Sequence, residues 1–249
     1  KRILLASVGM GAMTSCQTIA ETPPKTRIPV VYSSKSTIQL FGLERMHPFD
    51  IKKYDKIHKG LESGGFVNEK SSHAPEQLTQ KDLLLVHSER YLKTLEDKHL
   101  VASYLEAPII AKIPGIDIDK NVVQPFITAS GGTVTAARLA LKHGAAINLG
   151  GGYHHAMPDS GEGFCIIADV PITIRKLQKE GLINRALVID TDIHQGNGTI
   201  VCLQNDPSTF TFSMHESDIY PWPKQIGDLD ISVPKGVTDT NFNESFGRS

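Results

Sequence analysis

Two adjacent histidines, His154 and His155, follow three glycines in the run Asn148-Leu149-Gly150-Gly151-Gly152-Tyr153-His154-His155-Ala156. Glycine lets a backbone turn tightly and approach a ligand closely. Imidazole, with an ordinary pKa of about 6.5, suits proton transfer at neutral pH. A single histidine in such a place is more often structural. Two together at the tip of an apolar strand favour acid/base work, one ring taking a proton from water while its neighbour stays charged or hydrogen-bonded.

A second cluster follows the apolar run Ala186-Leu187-Val188-Ile189: Asp190-Thr191-Asp192-Ile193-His194-Gln195-Gly196-Asn197-Gly198. If the extended conformation continues, Asp190, Asp192 and His194 project to one side. Asp192 and His194 are then sensible ligands for zinc or another divalent metal, and Asp190 can orient a histidine from behind. The competing reading, a solvated Asp-rich loop, is disfavoured by this spacing directly behind an apolar strand. A catalytic zinc needs three protein ligands and an open position, so a third ligand must come from elsewhere.

These clusters need elements to hold them. Ile28–Tyr32, Leu83–Val86, Ala145–Leu149, Ala186–Asp190, Thr209–Ser213 and Leu229–Val233 read as strands. Between them, helices are expected from Asp50 to about Ser63, Ser88 to Lys98, Ala129 to His143, Ile172 to Glu180 and Gly198 to Gln204. Such alternation predicts an α/β fold, a mainly parallel sheet flanked by helices, with function collected at the carboxyl ends of the strands.

Composition narrows the classes. The chain has 249 residues, enough for one large domain. With 26 Lys plus Arg against 27 Asp plus Glu, the net charge of −1 gives no support for nucleic-acid binding. Cys16, Cys165 and Cys202 show no CxxC spacing, and the last two lie in apolar runs that read as core.

At the amino end, Lys1-Arg2 precedes an apolar stretch and Thr14-Ser15-Cys16. This resembles a bacterial lipoprotein signal over residues 1–16, with Cys16 lipidated, a linker over 17–27 and the domain over 28–249. It implies membrane anchoring through Cys16 and a place in the cell envelope; the alternative is a buried first strand and a cytoplasmic protein.

The motifs together carry a family resemblance. Gly150–Ala156 (GGGYHHA), Gly161–Cys165 (GEGFC), Asp190–Thr199 (DTDIHQGNGT) and Phe210–His215 (FTFSMH) resemble the histone deacetylase superfamily, as do Gly42–Asp50 and Val86–Leu92 upstream. The likeness is greatest to its class IV branch and bacterial relatives. It implies the arginase/deacetylase fold and zinc-dependent hydrolysis of N-acetyl or longer acyl groups from lysine side chains. Acetylpolyamines are an alternative substrate, and a manganese ureohydrolase is disfavoured by the tandem histidines.

Residue by residue, the resemblance makes His154 and His155 the proton-handling pair and Asp192 and His194 zinc ligands. Asp190 becomes the partner of the first histidine, and Asn197 the partner of the second. A neutral amide at Asn197 stabilises an imidazolium less than a carboxylate would, so His155 is expected to have a lower pKa than in the family branches that carry Asp there. A potassium site is implied at Asp190, Ser213 and the carbonyls of Asp192, His194 and Met214. Gly163 and Phe164 match the wall of the acyl-lysine channel. Gln195 replaces a histidine common in the family and is given no catalytic role.

In the family, the third zinc ligand and the oxyanion tyrosine lie beyond everything matched here. Asp218, Tyr220, Asp228 and Asp230 stand in no matching context, and Asn241–Ser249 resembles no motif. The expectation is therefore a domain lacking its C-terminal part, with a catalytically inactive domain as the competing reading. Losing one oxyanion donor alone can cost a factor of roughly 10² to 10³. Labelling with a radioactive fatty acid checks the lipoprotein reading, which requires that the label be lost in Cys16→Ala.

Overall fold

A computed structural model describes residues 2–7, 28–42, 50, 52–238 and 240. Its strands form two parallel sheets. The first has the order β3 (Ser72–His73), β2 (Val30–Val31), β4 (Ile147–Asn148); the second runs β1 (Arg2–Ser7), β5 (Arg185–Asp190), β6 (Thr209–Glu216), β7 (Leu229–Val233). The first part of the segment expected as the leader's apolar stretch is strand β1, paired with β5 from Arg2 opposite Arg185 to Ser7 opposite Asp190, and residues 8–13 lie outside the described residues. Cys16, the linker 17–27, most of the Gly42–Asp50 motif and the tail 241–249 lie outside the described residues.

Parallel strands require crossovers, and helices supply them. They are α1 (Lys53–Ser63), α2 (Gln80–Leu83), α3 (Glu89–Thr94), α4 (Lys98–Tyr104), α5 (Ile109–Lys112), α6 (Gln124–His143), α7 (Asp169–Lys179) and α8 (Asn197–Leu203). Among the described residues no helix is long and apolar enough to cross a membrane. Helix α6 is central. It touches β2, β4 and β1 as well as α7, so it spans both sheets.

One expected strand is a helix and turn instead. Leu83 ends α2, and the chain turns through residues 84–86. The cause is local. Thr79 and Asp82 form a reciprocal capping box, which commits the segment to helix before its apolar run can extend. A short apolar run alone cannot separate a strand from a buried helical turn. Elsewhere boundaries move. The helix expected from Ser88 to Lys98 is broken by Asp97, which caps α4, and the helix expected from Ala129 starts at Gln124.

The largest core cluster joins Leu83, Tyr91 and Leu95 to Ile166, Ile167 and Ile172. A second packs Ile174, Leu177 and Ile183 on Ala186 and Val188 of β5. Outside the cores, Arg138 of α6 pairs with Glu76 at 2.9 Å and Glu180 at 2.7 Å, while Lys176 of α7 reaches Asp82 at 2.6 Å.

His87, only 2% exposed, clamps the loops around the site. Its Nε2 accepts from the Ala168 N–H at 2.9 Å, so its Nδ1–H must donate to the Met157 carbonyl at 3.0 Å. A second proton would face the Ala168 N–H. Burial, outweighing the hydrogen bond to the Met157 carbonyl, pushes its pKa down to about 4.

A histidine depressed in the fold and near 6.5 when unfolded stabilises the native state fully above about pH 6.5, and this contribution is lost as pH falls through 4. We expect urea unfolding to show a loss of about 3 kcal/mol across that window from this group. His87→Ala should cost roughly 2–4 kcal/mol at pH 7 by leaving two buried backbone groups unpaired, and should flatten the pH dependence.

Candidate active site

The glycine loop after β4 is shaped by a carboxylate. Asp169, at the start of α7 and 1% exposed, accepts from the N–H groups of Gly152 at 2.9 Å and Tyr153 at 2.8 Å. Thr133 of α6 donates its hydroxyl to the same carboxylate at 2.5 Å and accepts from the Asn148 amide at 2.9 Å. Burial pushes the Asp169 carboxyl above the ordinary carboxylate range, against hydrogen bonds that pull it down. Gly151 sits at φ +82°, where a Cβ would stand 2.4 Å from an Asp169 oxygen. The expected close approach to a ligand is here, in part, an approach to the protein's own carboxylate.

The loop delivers the two histidines to different partners. His154 Nδ1 lies 2.7 Å from Asp190 Oδ2 at the end of β5, and the other Asp190 oxygen accepts from the Asp192 N–H at 3.0 Å. His155 Nδ1 lies 2.6 Å from Asn197 Oδ1 at the start of α8. The ring centroids are 3.9 Å apart, too close for both rings to be positively charged cheaply. Burial alone would lower the His154 pKa, but the Asp190 carboxylate outweighs it and raises it. Burial, then the charge on His154, pushes His155 down to about 3. Paired groups driven apart in this way take opposite acid and base roles.

The expected extended geometry of Asp190, Asp192 and His194 is not what forms. The strand ends at Asp190, and the chain bends through residues 192–194. The Asp192 carboxylate accepts from the backbone N–H of His194 at 2.8 Å, a local turn that wins over continued strand. The same oxygen lies 3.1 Å from His194 Nδ1 and 3.9 Å from His154 Nε2. Burial would raise the Asp192 carboxyl, but His194 and the charge on His154 hold it down to about 2.

Asp192 and His194 are thus neighbours and offer a carboxylate and an imidazole. Among the described residues no group of three or more His, Cys, Asp or Glu is arranged to hold a metal ion. The donor set present does not complete a catalytic zinc site. Of the residues implied for potassium, Asp190 and Ser213 are opposite each other in the β5–β6 register, and Met214 follows. The Ser213 hydroxyl faces His215 Nδ1 at 3.0 Å.

The channel-wall pair forms a tight turn. Glu162 and Cys165 exchange both backbone hydrogen bonds, and between them Gly163 has φ +53° and Phe164 φ +66°. Two positive φ values make this a turn of the mirror-image type I class, which glycine adopts freely and phenylalanine does not. A Cβ on Gly163 would stand 2.4 Å from the His155 ring. Cys165 and Cys202 are free thiols.

Several residues at the site were given no role from the sequence. Asp169 stood as a lone carboxylate in the apolar run FCIIADVPITI, itself the signal of a buried acceptor. Tyr220 packs edge-on against His155 at 4.9 Å and His194 at 5.9 Å between centroids. Gln195, 1% exposed, holds that tyrosine's loop: its amide donates to the Gln225 carbonyl and Asp230, and its Oε1 accepts from the Gln225 N–H. Glu162 accepts from the Asn197 amide nitrogen at 2.5 Å.

Known proteins share this arrangement of sequence and fold. A model of the histone deacetylase domain matches residues 47–248. Histone deacetylase 2 of Arabidopsis thaliana is 36% identical over 222 residues, 88% of this chain and 57% of its own length. Acetoin utilization protein AcuC of Staphylococcus aureus is 31% identical over 87% of this chain and 59% of its own. A solved histone deacetylase homolog from Aquifex aeolicus superposes with a TM-score of 0.65 at 23% identity, over 88% of this chain and 62% of that one. That likeness and the HDA15 HD domain, at a TM-score of 0.66 and 18% identity, show the fold alone.

The chain belongs to the histone deacetylase family. It spans 57% to 62% of the length of the Arabidopsis, Staphylococcus and Aquifex relatives.

Asp169→Asn should expose the role of the buried carboxylate. The amide offers one acceptor where two backbone N–H groups and a hydroxyl now converge. Urea unfolding should show a loss of at least about 2 kcal/mol, with Thr133→Val costing less.

Proposed function

We propose that this chain carries the proton-handling part of an amide hydrolase acting on N-acyl lysine side chains, with small acylated amines as the second substrate class. The observation that carries the reading is the tandem pair with unlike partners, His154 on Asp190 and His155 on Asn197. Family membership supports deacylation as the reaction class.

His155, held neutral, accepts a proton from water as its oxygen adds to the acyl carbon. His154, held charged by Asp190, stabilises the negative charge that develops beside it. The proton is returned to the amine nitrogen as the carbon–nitrogen bond breaks, releasing carboxylate and free amine. Gly163 and Phe164 would form one side of the acyl channel. A backbone held at positive φ by a bulky residue beside His155 supports that reading.

Zinc is the metal expected of the family, and Asp192 and His194 would be two of its ligands. The donor set among the described residues does not hold the ion by itself, so no step above passes through it. That incompleteness favours a second reading, a deacetylase-like domain without turnover.

Acetate release from an acetyl-lysine peptide, with zinc added, decides between them. The hydrolase reading expects a rate that falls at least about tenfold in His154→Ala, the lower end of what a positioned acid or base contributes. Equal rates for the two proteins would establish the non-catalytic reading.

A further inference from the structure

Behind His155 lies a polar chain with only one consistent direction. His155 Nδ1 meets Asn197 Oδ1 at 2.6 Å, and Asn197 Nδ2 meets Glu162 Oε1 at 2.5 Å. A carboxylate only accepts hydrogen bonds, whereas an amide can face either way. The Asn197 nitrogen must therefore turn to Glu162, which leaves its oxygen toward His155. That oxygen can only accept, so His155 carries its proton on Nδ1 and presents the Nε2 lone pair. The segment 161–165 is tied beside this contact. Its turn is closed by the Glu162–Cys165 pair, and Gly163 is pressed against the His155 ring.

We propose that Glu162 is a positioning residue that acts through Asn197 to fix the tautomer of His155, supplying the directing carboxylate that the Asn197 amide lacks. This rests on the hydrolase reading for its purpose, because only the Nδ1–H tautomer offers a base to water. The tautomer itself can be read without turnover.

The test is nitrogen NMR of the full chain, labelled with ¹⁵N in its histidine rings, at pH 7.5 without added metal. The His155 signal is identified by its loss in His155→Gln. The wild-type chain should show His155 as the Nδ1–H tautomer alone. In Glu162→Gln the new amide can donate as well as accept, Asn197 can flip, and the Nε2–H tautomer should appear beside the first.

The double variant Glu162→Gln with Asn197→Asp should restore the single Nδ1–H tautomer. There the acceptor-only carboxylate sits directly on the histidine, and the amide introduced by Glu162→Gln can donate to it. A purely structural role for Glu162 predicts no change of tautomer in a folded Glu162→Gln. His87, whose tautomer is dictated by Ala168 and Met157, reports in the same spectra whether each variant is folded. If Glu162→Gln does not fold, Glu162→Ala frees the same Asn197 amide, and the same mixture is expected.

A single unchanged Nδ1–H tautomer in a folded Glu162 variant would overturn the inference, as would a folded double variant that stays mixed. Acetate release measured on the same proteins separates the two claims. A tautomer switch without turnover upholds the role of Glu162 and fails the hydrolase reading; turnover with an unchanged tautomer does the reverse.

Discussion

The site depends on a buried carboxylate that belongs to neither histidine. Asp169 draws the N–H groups of Gly152 and Tyr153 and the hydroxyl of Thr133 onto one charge, inside a region where water does not compete. Hydrogen bonds to a charged acceptor in such surroundings are the strong ones, and leaving one unmade is costly. This contact bends the loop after β4 and places the next two residues, His154 and His155, over the ends of β5 and α8. Helix α6, which touches strands of both sheets, contributes Thr133 to it.

Direction, as much as distance, organises the polar groups around it. Asp190, Asp169 and Glu162 can only accept; Gly152, Tyr153, Ala168 and Asp192 offer N–H groups that can only donate. Between these fixed ends lie the residues able to do either: His87, His154, His155, Asn197, Asn148 and Thr133. Each is forced into one arrangement by its neighbours. A network with no free choices holds one geometry and is costly to break, since each lost member strands another. The divergence of the two histidine pKa values follows. One ring faces a carboxylate, the other an amide, and their closeness makes the first charge oppose the second.

The proposed metal ligands are less organised than the proposed proton-handling pair. Asp192 and His194 are brought together by a local turn, but their present contacts are with each other and with His154. The relatives are longer than the span matched here. What the described residues hold together is a carboxylate and an imidazole beside a directed histidine pair.

The sequence by itself determined the chemistry-bearing residue types and their chain neighbours. GGGYHH, GEGFC and DTDIHQGNG were legible because motif spacing is local, and so were the strand behind Asp190 and the parallel α/β class. The amide at Asn197 marked His155 in the sequence as the ring without a carboxylate partner, but its low pKa comes from burial and the charge on His154, against a hydrogen bond to Asn197 that raises it. Other features needed the fold. Leu83–Val86 reads as a strand until the Thr79–Asp82 capping box is seen to close on it. The Asp190-Thr191-Asp192-Ile193-His194 spacing reads as extended until the Asp192 carboxylate turns back on the His194 N–H. Asp169 meets Gly152 across 17 residues, Glu162 meets Asn197 across 35, and Gln195 holds the Tyr220 loop from 30 residues away. No spacing rule encodes those pairings. Which buried acceptor meets which donor is decided only when packing removes water and leaves each polar group one partner.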